Sequence, residues 1–156
     1  MENNKRKELK VSAIRNGTVI DHIPSEKSFQ VLRMLNLDTY SNQIYFGTGL
    51  ESQKFGKKGI IKISEKYFAD EEINKIALVA PSATLIEIID YEVTKKEQVH
   101  LPEYVEKIVK CFNPKCVTNI QDVKTNFRVI TDYNGEMKLA CHYCEKTMSK
   151  ENIEFK

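Results

Sequence analysis

Four cysteines in two close pairs constrain this chain more than any other feature. Four residues separate Cys111 from Cys116, two residues separate Cys141 from Cys144, and 24 residues lie between the pairs. Each short loop can turn two sulfurs toward one ion, which is the arrangement of a tetrahedral structural zinc site. Because four thiolates fill the coordination shell, we predict a closed zinc site at these cysteines, with the neighbouring His142 as a bystander.

Two disulfides are the alternative use of four cysteines. Disulfides persist in oxidising compartments, whereas residues 2–8 are polar and charged and offer no apolar signal segment. No apolar run approaches the roughly 20 residues that a membrane span requires. The sequence therefore predicts a soluble, cytoplasmic protein whose cysteines are reduced and bind metal.

The charge of the cysteine-bearing part limits the partners that it can have. Residues 1–100 contain 15 Lys and Arg against 14 Asp and Glu, and residues 101–156 contain 9 against 8. A zinc module that binds nucleic acid normally has a strong basic excess, because phosphate contacts dominate its affinity. A zinc-ribbon nucleic-acid-binding protein remains an alternative, supported by the cysteine pattern alone. Residues 101–156 are too few to bury a large core, so the zinc is predicted to be structural.

Residues 1–100 alternate between strand and helix signals. The first ten residues are interpreted as a solvated arm. Asn16 and Gly17 indicate a tight turn between two β-rich runs, and Ser25 is predicted to cap the first helix. The glycine-rich residues 47–59 lack the phosphate-binding P-loop pattern and are predicted to form a mobile hairpin loop. The predicted strands are residues 9–14, 18–20, 43–46, 60–63, 84–89 and 91–94, and the predicted helices run from residue 25 to 36–38 and from residue 70 to Pro81.

This order of elements predicts an α+β fold with two domains. Two helices between strand pairs favour one antiparallel sheet with both helices on one face, in the ferredoxin-like manner. Residues 101–156 are predicted to form a small all-β zinc domain, with an amphipathic turn at 104–109 and strands at 125–131 and 136–140. The polar residues 95–98 and the Leu-Pro pair at 101–102 mark the junction.

Several local motifs in this order point to a known family. They are residues 17–24 (GTVIDHIP), 78–84 (LVAPSAT), 90–93 (DYEV), 101–103 (LPE) and 141–146 (CHYCEK). Over essentially its whole length the sequence resembles the regulatory chain of aspartate carbamoyltransferase. The resemblance implies that residues 1–100 form an allosteric domain for nucleoside triphosphates, and that residues 101–156 dock on the catalytic chain. It also implies that regulatory chains pair as dimers.

The resemblance further implies a nucleotide site. Asp21 can accept hydrogen bonds from ribose hydroxyls, and His22 can donate to hydroxyl or phosphate oxygens. Lys96 matches the family's phosphate lysine, and Lys62 matches the lysine that reaches the ribose and base. Other matching positions line the nucleotide, several through backbone groups: Val11, Ser12, Ile14, Tyr91 and Val93. Without the resemblance these lysines would be interpreted as ordinary solvated side chains, and Asp21–His22 as a turn.

One position departs from the family pattern. Ile86 stands where the best-known members carry an asparagine, so an amide that could contact phosphate is missing. The resemblance implies a non-catalytic regulatory subunit of pyrimidine biosynthesis that responds to CTP and ATP, with UTP as a further candidate effector. No catalytic residue, nucleic acid or membrane is expected. A stand-alone nucleotide sensor is a third, weaker hypothesis.

Overall fold

The computed structural model describes residues 13–53 and 56–156. The chain divides into two compact units, one ending at His100 and the other spanning Leu101–Lys156. Several predictions fall on residues outside the described ones. They concern the site residues Val11 and Ser12, the solvated arm of the first ten residues, and most of the first predicted strand. Residues 13–16 are not part of a strand, so the described region contains no hairpin across Asn16 and Gly17.

The first unit is built on one five-stranded antiparallel sheet in the order β2-β3-β1-β4-β5. The first four strands have the ferredoxin-like arrangement, and β5 is added at one edge. The predicted α+β fold is confirmed. The strands are β1 (Gly17–Pro24), β2 (Ile44–Ser52), β3 (Gly56–Ser64), β4 (Thr84–Ile89) and β5 (Glu92–Gln98), and the helices are α1 (Ser28–Met34) and α2 (Asp70–Val79).

Both helices pack on the same face of this sheet. Ile20 of β1 lies opposite Ile61 of β3 and Leu85 of β4, so these three side chains share a face. They form one buried cluster with Val31 of α1 and Ile76 of α2. Since side chains alternate along a strand, the residues next to Ile20, Ile61 and Leu85 in their own strands point to the other face of the sheet.

The first helix begins later than Ser25, so the predicted cap is wrong. A 3-10 turn covers Ser25–Lys27, and α1 starts at Ser28 without a side-chain cap. The Ser25 hydroxyl instead accepts the Gly49 N–H at 2.8 Å, which ties it to β2. Tertiary contact with β2 therefore replaces the local capping bond. The second helix begins at Asp70 as predicted, and the Glu72 carboxylate accepts the Ala69 N–H at 3.4 Å.

The glycine-rich stretch is mostly strand, so the prediction of a loop over residues 47–59 is wrong. β2 continues to Ser52 and β3 begins at Gly56. A bulge lies between Gly47 and Leu50 of β2. Pairing with the neighbouring strand stabilises a segment whose own β propensity is low.

The second unit contains a four-stranded antiparallel sheet in the order β10-β9-β8-β6 and a two-stranded pair of β11 with β7. Its largest fully buried side chains are Phe127, Leu139, Met148, Val105 and Val109. The strands predicted near 125–131 and 136–140 are confirmed, but 104–109 forms two short strands around Lys107, whose φ is +70°, rather than an amphipathic turn. The elements are β6 (Tyr104–Glu106), β7 (Val109–Lys110), the helical turn α3 (Val117–Ile120), β8 (Asn126–Thr131), β9 (Met137–Cys141), β10 (Thr147–Ser149) and β11 (Glu154–Phe155).

Among the described residues, no helix has the length and apolar character needed to cross a membrane.

Candidate functional sites

The four cysteines converge in the second unit. Their sulfur atoms all lie within 4.8 Å of one another. The Cys111 and Cys144 sulfurs are 3.7 Å apart, and those of Cys116 and Cys141 are 3.8 Å apart. A disulfide has an S–S length of about 2.05 Å, so the cysteines are free, as reduced thiols or thiolates. A tetrahedral ion with metal–sulfur bonds of about 2.3 Å has sulfur–sulfur edges of about 3.8 Å, which the Cys111–Cys144 and Cys116–Cys141 distances match.

The loops that carry the sulfurs are held by their own hydrogen bonds. The Asn119 side chain donates to the carbonyl oxygens of Cys111 and Asn113, both at 2.8 Å, which closes the first loop. The Thr118 hydroxyl donates to the Cys116 sulfur at 3.2 Å. Such outer contacts orient the ligands of a metal. The first loop is therefore arranged to present its two sulfurs on the side of the second pair.

Burial makes thiolates unfavourable here unless a cation is present. Burial raises the pKa of Cys111 to about 12, although the Asn113 N–H opposes it. Burial also raises the pKa of Cys141. At Cys144 burial acts in the same direction, but hydrogen bonds from the Lys146 N–H and the Asn113 side chain bring its pKa down to about 7. A bound divalent cation would offset the cost of burying several thiolates, so the donor set suits a metal ion.

His142 stands apart from this cluster. Its side chain is exposed, and its ring meets the Tyr143 ring edge-on, with the ring centroids 5.2 Å apart. The four sulfurs form the metal-ligand group without it.

In the first unit, the strand register brings the two predicted nucleotide lysines onto one face. Lys62 lies opposite Val19, Val19 lies opposite Ile86, and Ile86 lies opposite Lys96. Directly opposite residues in an antiparallel sheet share a face. We call the face that carries Lys62, Val19, Ile86 and Lys96 the lysine face; it is the face away from α1 and α2. Ile86 thus places an apolar side chain on the row between the two cations.

Asp21 and His22 belong to the same region. Asp21 is paired with Thr84 and lies two residues beyond Val19, so it also points to the lysine face. The register of β1 against β3 shifts between Ile20 and Ile23, which makes Asp21 and His22 a β-bulge. The His22 N–H donates to the Asp21 carboxylate at 2.6 Å, and His22 Nδ1 lies 3.0 Å from Thr84 Oγ1.

The charges on this face are coupled. Burial lowers the pKa of Lys62, and the negative charge of Asp21 acts in the opposite direction. The Asp21 carboxylate also accepts a hydrogen bond from Lys58 Nζ at 2.8 Å. Lys58 is not among the site residues predicted from the sequence. Two-residue alternation along β3, extended back from Lys62, is the signal that identifies it.

The remaining predicted residues lie at the end of the sheet. Ile14 is buried, whereas Tyr91 and Val93 are exposed. Ile14 and Tyr91 both line a cavity of about 440 Å³, together with Tyr45, which lies opposite Lys62. Val93 is paired with Ile88, two residues from Ile86, and so extends the lysine face. Tyr45 therefore brings this cavity next to Lys62 of the lysine face.

The turn between β4 and β5 positions Tyr91. Asp90 and Tyr91 both have positive φ, at +50° and +66°, as in the tight turns that match the twist of a hairpin. The Tyr91 N–H donates to the Arg15 carbonyl at 2.9 Å, and the Asp90 N–H donates to Asn16 Oδ1 at 3.0 Å. These bonds fix the turn against the segment that precedes β1.

The fold and the side-chain clusters define a class of protein: a ferredoxin-like unit with a lysine-bearing sheet face, followed in the chain by a small unit with a four-cysteine cluster suited to a metal ion. Comparison with protein families makes this specific. The family described as "Aspartate carbamoyltransferase regulatory chain, allosteric domain" matches residues 9–100, and the one described as "Aspartate carbamoyltransferase regulatory chain, metal binding domain" matches residues 103–154. The chain belongs to the aspartate carbamoyltransferase regulatory chain family, which confirms the resemblance found in the sequence.

Individual relatives agree along the full length. The chain is 51% identical to the aspartate carbamoyltransferase regulatory chain of Phocaeicola vulgatus over 154 residues, covering 99% of this chain and 97% of that one. It is 52% identical to the regulatory chain of Bacteroides fragilis over 145 residues, covering 93% and 94%. It is 48% identical to the regulatory chain of Pyrococcus horikoshii over 148 residues, covering 94% and 96%.

Membership of this family makes the chain a regulatory, non-catalytic polypeptide of pyrimidine biosynthesis with a metal-binding domain. The matches include both units, so the alternative of a nucleic-acid-binding zinc ribbon is not favoured.

Proposed function

We propose that this chain is the allosteric subunit of a cytoplasmic aspartate carbamoyltransferase and binds CTP, ATP or UTP on the lysine face. Residues 1–100 form its nucleotide domain, and residues 101–156 form a zinc domain that docks on the catalytic chain. The regulatory chains pair as dimers. The observation that carries the proposal is the convergence of Asp21, His22, Lys62 and Lys96 on one face of a single sheet.

The chemistry of this face suits a nucleoside triphosphate. Lys62 and Lys96 are separated along one row by two strands, so they offer cations at two points of an elongated anion. Asp21 offers carboxylate oxygens to ribose hydroxyls, and His22 offers a ring nitrogen to a phosphate or hydroxyl oxygen. The cavity lined by Ile14 and Tyr91 supplies a concave, partly apolar end for the base. We propose that Val11 and Ser12 complete this end, as the family pattern implies.

The metal is proposed to be one structural zinc ion held by Cys111, Cys116, Cys141 and Cys144. Four sulfur donors within 4.8 Å of one another favour zinc and leave no open position for water or substrate. When bound, the ion cross-links the two loops of a small unit and so contributes to its folding. The four thiolates therefore maintain the docking surface and take no part in the reaction of the catalytic chain.

Regulation then follows from a difference in affinity. A nucleotide shifts the activity of the enzyme only if it binds the lysine face more tightly in one quaternary state than in the other. Because the catalytic chain contacts the zinc domain in this proposal, the zinc domain must transmit that difference. The sign of the response to CTP or ATP is set by which state binds each nucleotide better.

Reconstitution tests the proposal. The zinc-loaded chain is mixed with the catalytic subunit of the same organism, and carbamoylaspartate formation is measured with and without CTP and ATP. We expect a stable complex whose activity changes with nucleotide only when this chain is present. A stand-alone sensor would bind nucleotide without forming the complex, and a nucleic-acid-binding protein would show salt-dependent binding to DNA or RNA.

A charge-deletion pair tests the nucleotide site. Lys96→Ala should weaken CTP and ATP binding by about tenfold or more, because it removes a charge-assisted contact to phosphate. The neighbouring Lys95 points to the opposite face, where its ammonium pairs with Glu97 at 3.3 Å. Lys95→Ala is therefore the matched control and should leave both affinities within about twofold. Isothermal titration calorimetry measures both, and equal losses would contradict the assignment of the lysine face.

A further inference from the structure

Tyr45 extends the row of side chains that crosses the lysine face. It lies opposite Lys62 in the pairing of β2 with β3, and directly opposite residues share a face. From one edge strand of the sheet to the other, the row therefore consists of Tyr45, Lys62, Val19, Ile86 and Lys96. Since neighbouring strands lie about 4.8 Å apart, roughly 14 Å separate the backbones of Lys62 and Lys96, and Tyr45 lies one strand further.

The backbone of Tyr45 is fixed from the opposite face of the sheet. Its neighbours Ile44 and Phe46 pack against the buried cluster of the first unit, and both are paired with isoleucines of β3. The centroid of the Phe46 ring lies 5.0 Å from that of the Phe29 ring. These contacts hold β2 in register, so the strand presents Tyr45 to the lysine face without any rearrangement.

Tyr91 shares with Tyr45 the cavity of about 440 Å³ at the end of the sheet. Tyr91 is 68% exposed, so its ring is accessible to a ligand. Aromatic rings that bases can stack on, together with polar side chains that can bond their edges, are the chemistry that binds a flat, polar-edged heterocycle. The polar residues that line this cavity are Asn16, Asn42, Gln43, Ser64 and Glu65.

We propose that Tyr45 stacks on the base of the bound nucleotide and favours ATP over CTP. With the phosphates at Lys96 and the ribose near Lys62, the next position along the row is Tyr45, so the base reaches its ring. A purine has two fused rings and a pyrimidine has one, so adenine covers more of the tyrosine ring than cytosine does. This inference rests on the proposed nucleotide function of the lysine face and adds the residue that reads the size of the base.

Affinity for the two nucleotides measures this preference in the full-length chain, by isothermal titration calorimetry. Tyr45→Leu keeps an apolar side chain on β2 and removes the aromatic ring. It should weaken ATP binding by about tenfold and CTP binding by about threefold, as expected for the loss of base stacking. Tyr45→Phe keeps the ring and should bind both within about twofold of the wild type. Tyr133→Leu is the control and should change neither affinity, because Tyr133 is 98% exposed in the other unit.

Ring signals report the stacking directly in the wild type. The chain has seven tyrosines and no tryptophan, so ¹H–¹³C spectra of ring-labelled tyrosine contain few signals, and Tyr45→Phe identifies those of Tyr45. On addition of ATP we expect the Tyr45 ring protons to shift upfield, because the stacked purine carries a ring current. CTP should produce a smaller shift of the same sign.

The outcomes separate this inference from the function on which it rests. Tyr45 signals that stay in place while the wild type binds ATP would overturn the stacking. A folded Tyr45→Leu chain with an unchanged ratio of ATP to CTP affinity would overturn the discrimination. Should Tyr45→Leu not fold, the wild-type spectra decide. A wild type that binds neither nucleotide refutes the proposed function, and the role of Tyr45 with it.

Discussion

Cys141→Ser should abolish metal binding and unfold the unit of residues 101–156, while the sheet of residues 1–100 stays folded. The reason is that a structural zinc site of this kind contributes on the order of 10 kcal/mol to folding, whereas a small domain is stabilised by only about 5–15 kcal/mol in total. Cys141 also ends β9 and is buried at 3% exposure, so its loss acts at the centre of the sheet. Metal content and far-ultraviolet circular dichroism measure the two expected losses.

Loss of the folded unit of residues 101–156 should also abolish docking on the catalytic subunit. We expect Cys141→Ser to lose co-purification with the catalytic subunit and to keep the binding of CTP, since the lysine face belongs to the other unit. His142→Ser is the matched control, because His142 is adjacent, exposed and outside the four-sulfur cluster. A metal-free Cys141→Ser chain that remains folded and still binds the catalytic subunit would show that the metal is dispensable.

Gly17→Ala should destabilise the first unit by about 2–4 kcal/mol, which combines overlap in a packed region with an unfavourable backbone conformation. Gly17 has a φ of +140°, and an added Cβ would overlap the carbonyl oxygen of Ile63 and lie 3.1 Å from the Glu65 nitrogen. Both are backbone atoms of the neighbouring strand region, so they cannot move aside as a side chain could. Because β1 lies at the centre of the sheet, the strain cannot be confined to an edge.

Gly49→Ala separates the two causes. Gly49 also has a positive φ, at +69°, but no atom lies within 4 Å of the added Cβ. Gly49→Ala should therefore lower the free energy of unfolding by only about 1 kcal/mol, which is the contribution of the backbone conformation. Urea unfolding followed by circular dichroism and by amide hydrogen exchange of the sheet measures both variants. Equal destabilisation would mean that conformation alone, and not the contact with Ile63, decides the effect.

Local sequence signals were sufficient where the structure depends on neighbours along the chain. The metal-ligand candidates followed from the spacing of Cys111, Cys116, Cys141 and Cys144. The helix from Asp70 followed from its apolar period and its acidic first turn. The ferredoxin-like sheet followed from the order of elements, which short connections and right-handed crossovers limit to few topologies.

Local signals failed where a distant strand decided the outcome. Ser25 has the chemistry of a helix cap, but Gly49 and Thr48 bind its hydroxyl instead. Residues 47–52 and 56–59 have low strand propensity, yet pairing between β2 and β3 makes them a hairpin. In both places tertiary contacts made by β2 outweighed a local preference worth less than about 2 kcal/mol.

By itself the sequence determined the cysteine ligand set, the two-unit order of elements, and the candidate residues Asp21, His22, Lys62 and Lys96. Only the tertiary structure decided that these four share one face, that Lys58 pairs with Asp21, and that the Thr84 hydroxyl lies beside the His22 ring. The physical reason is that residue type and spacing act locally, whereas the register of one strand against another is set by packing of the whole sheet.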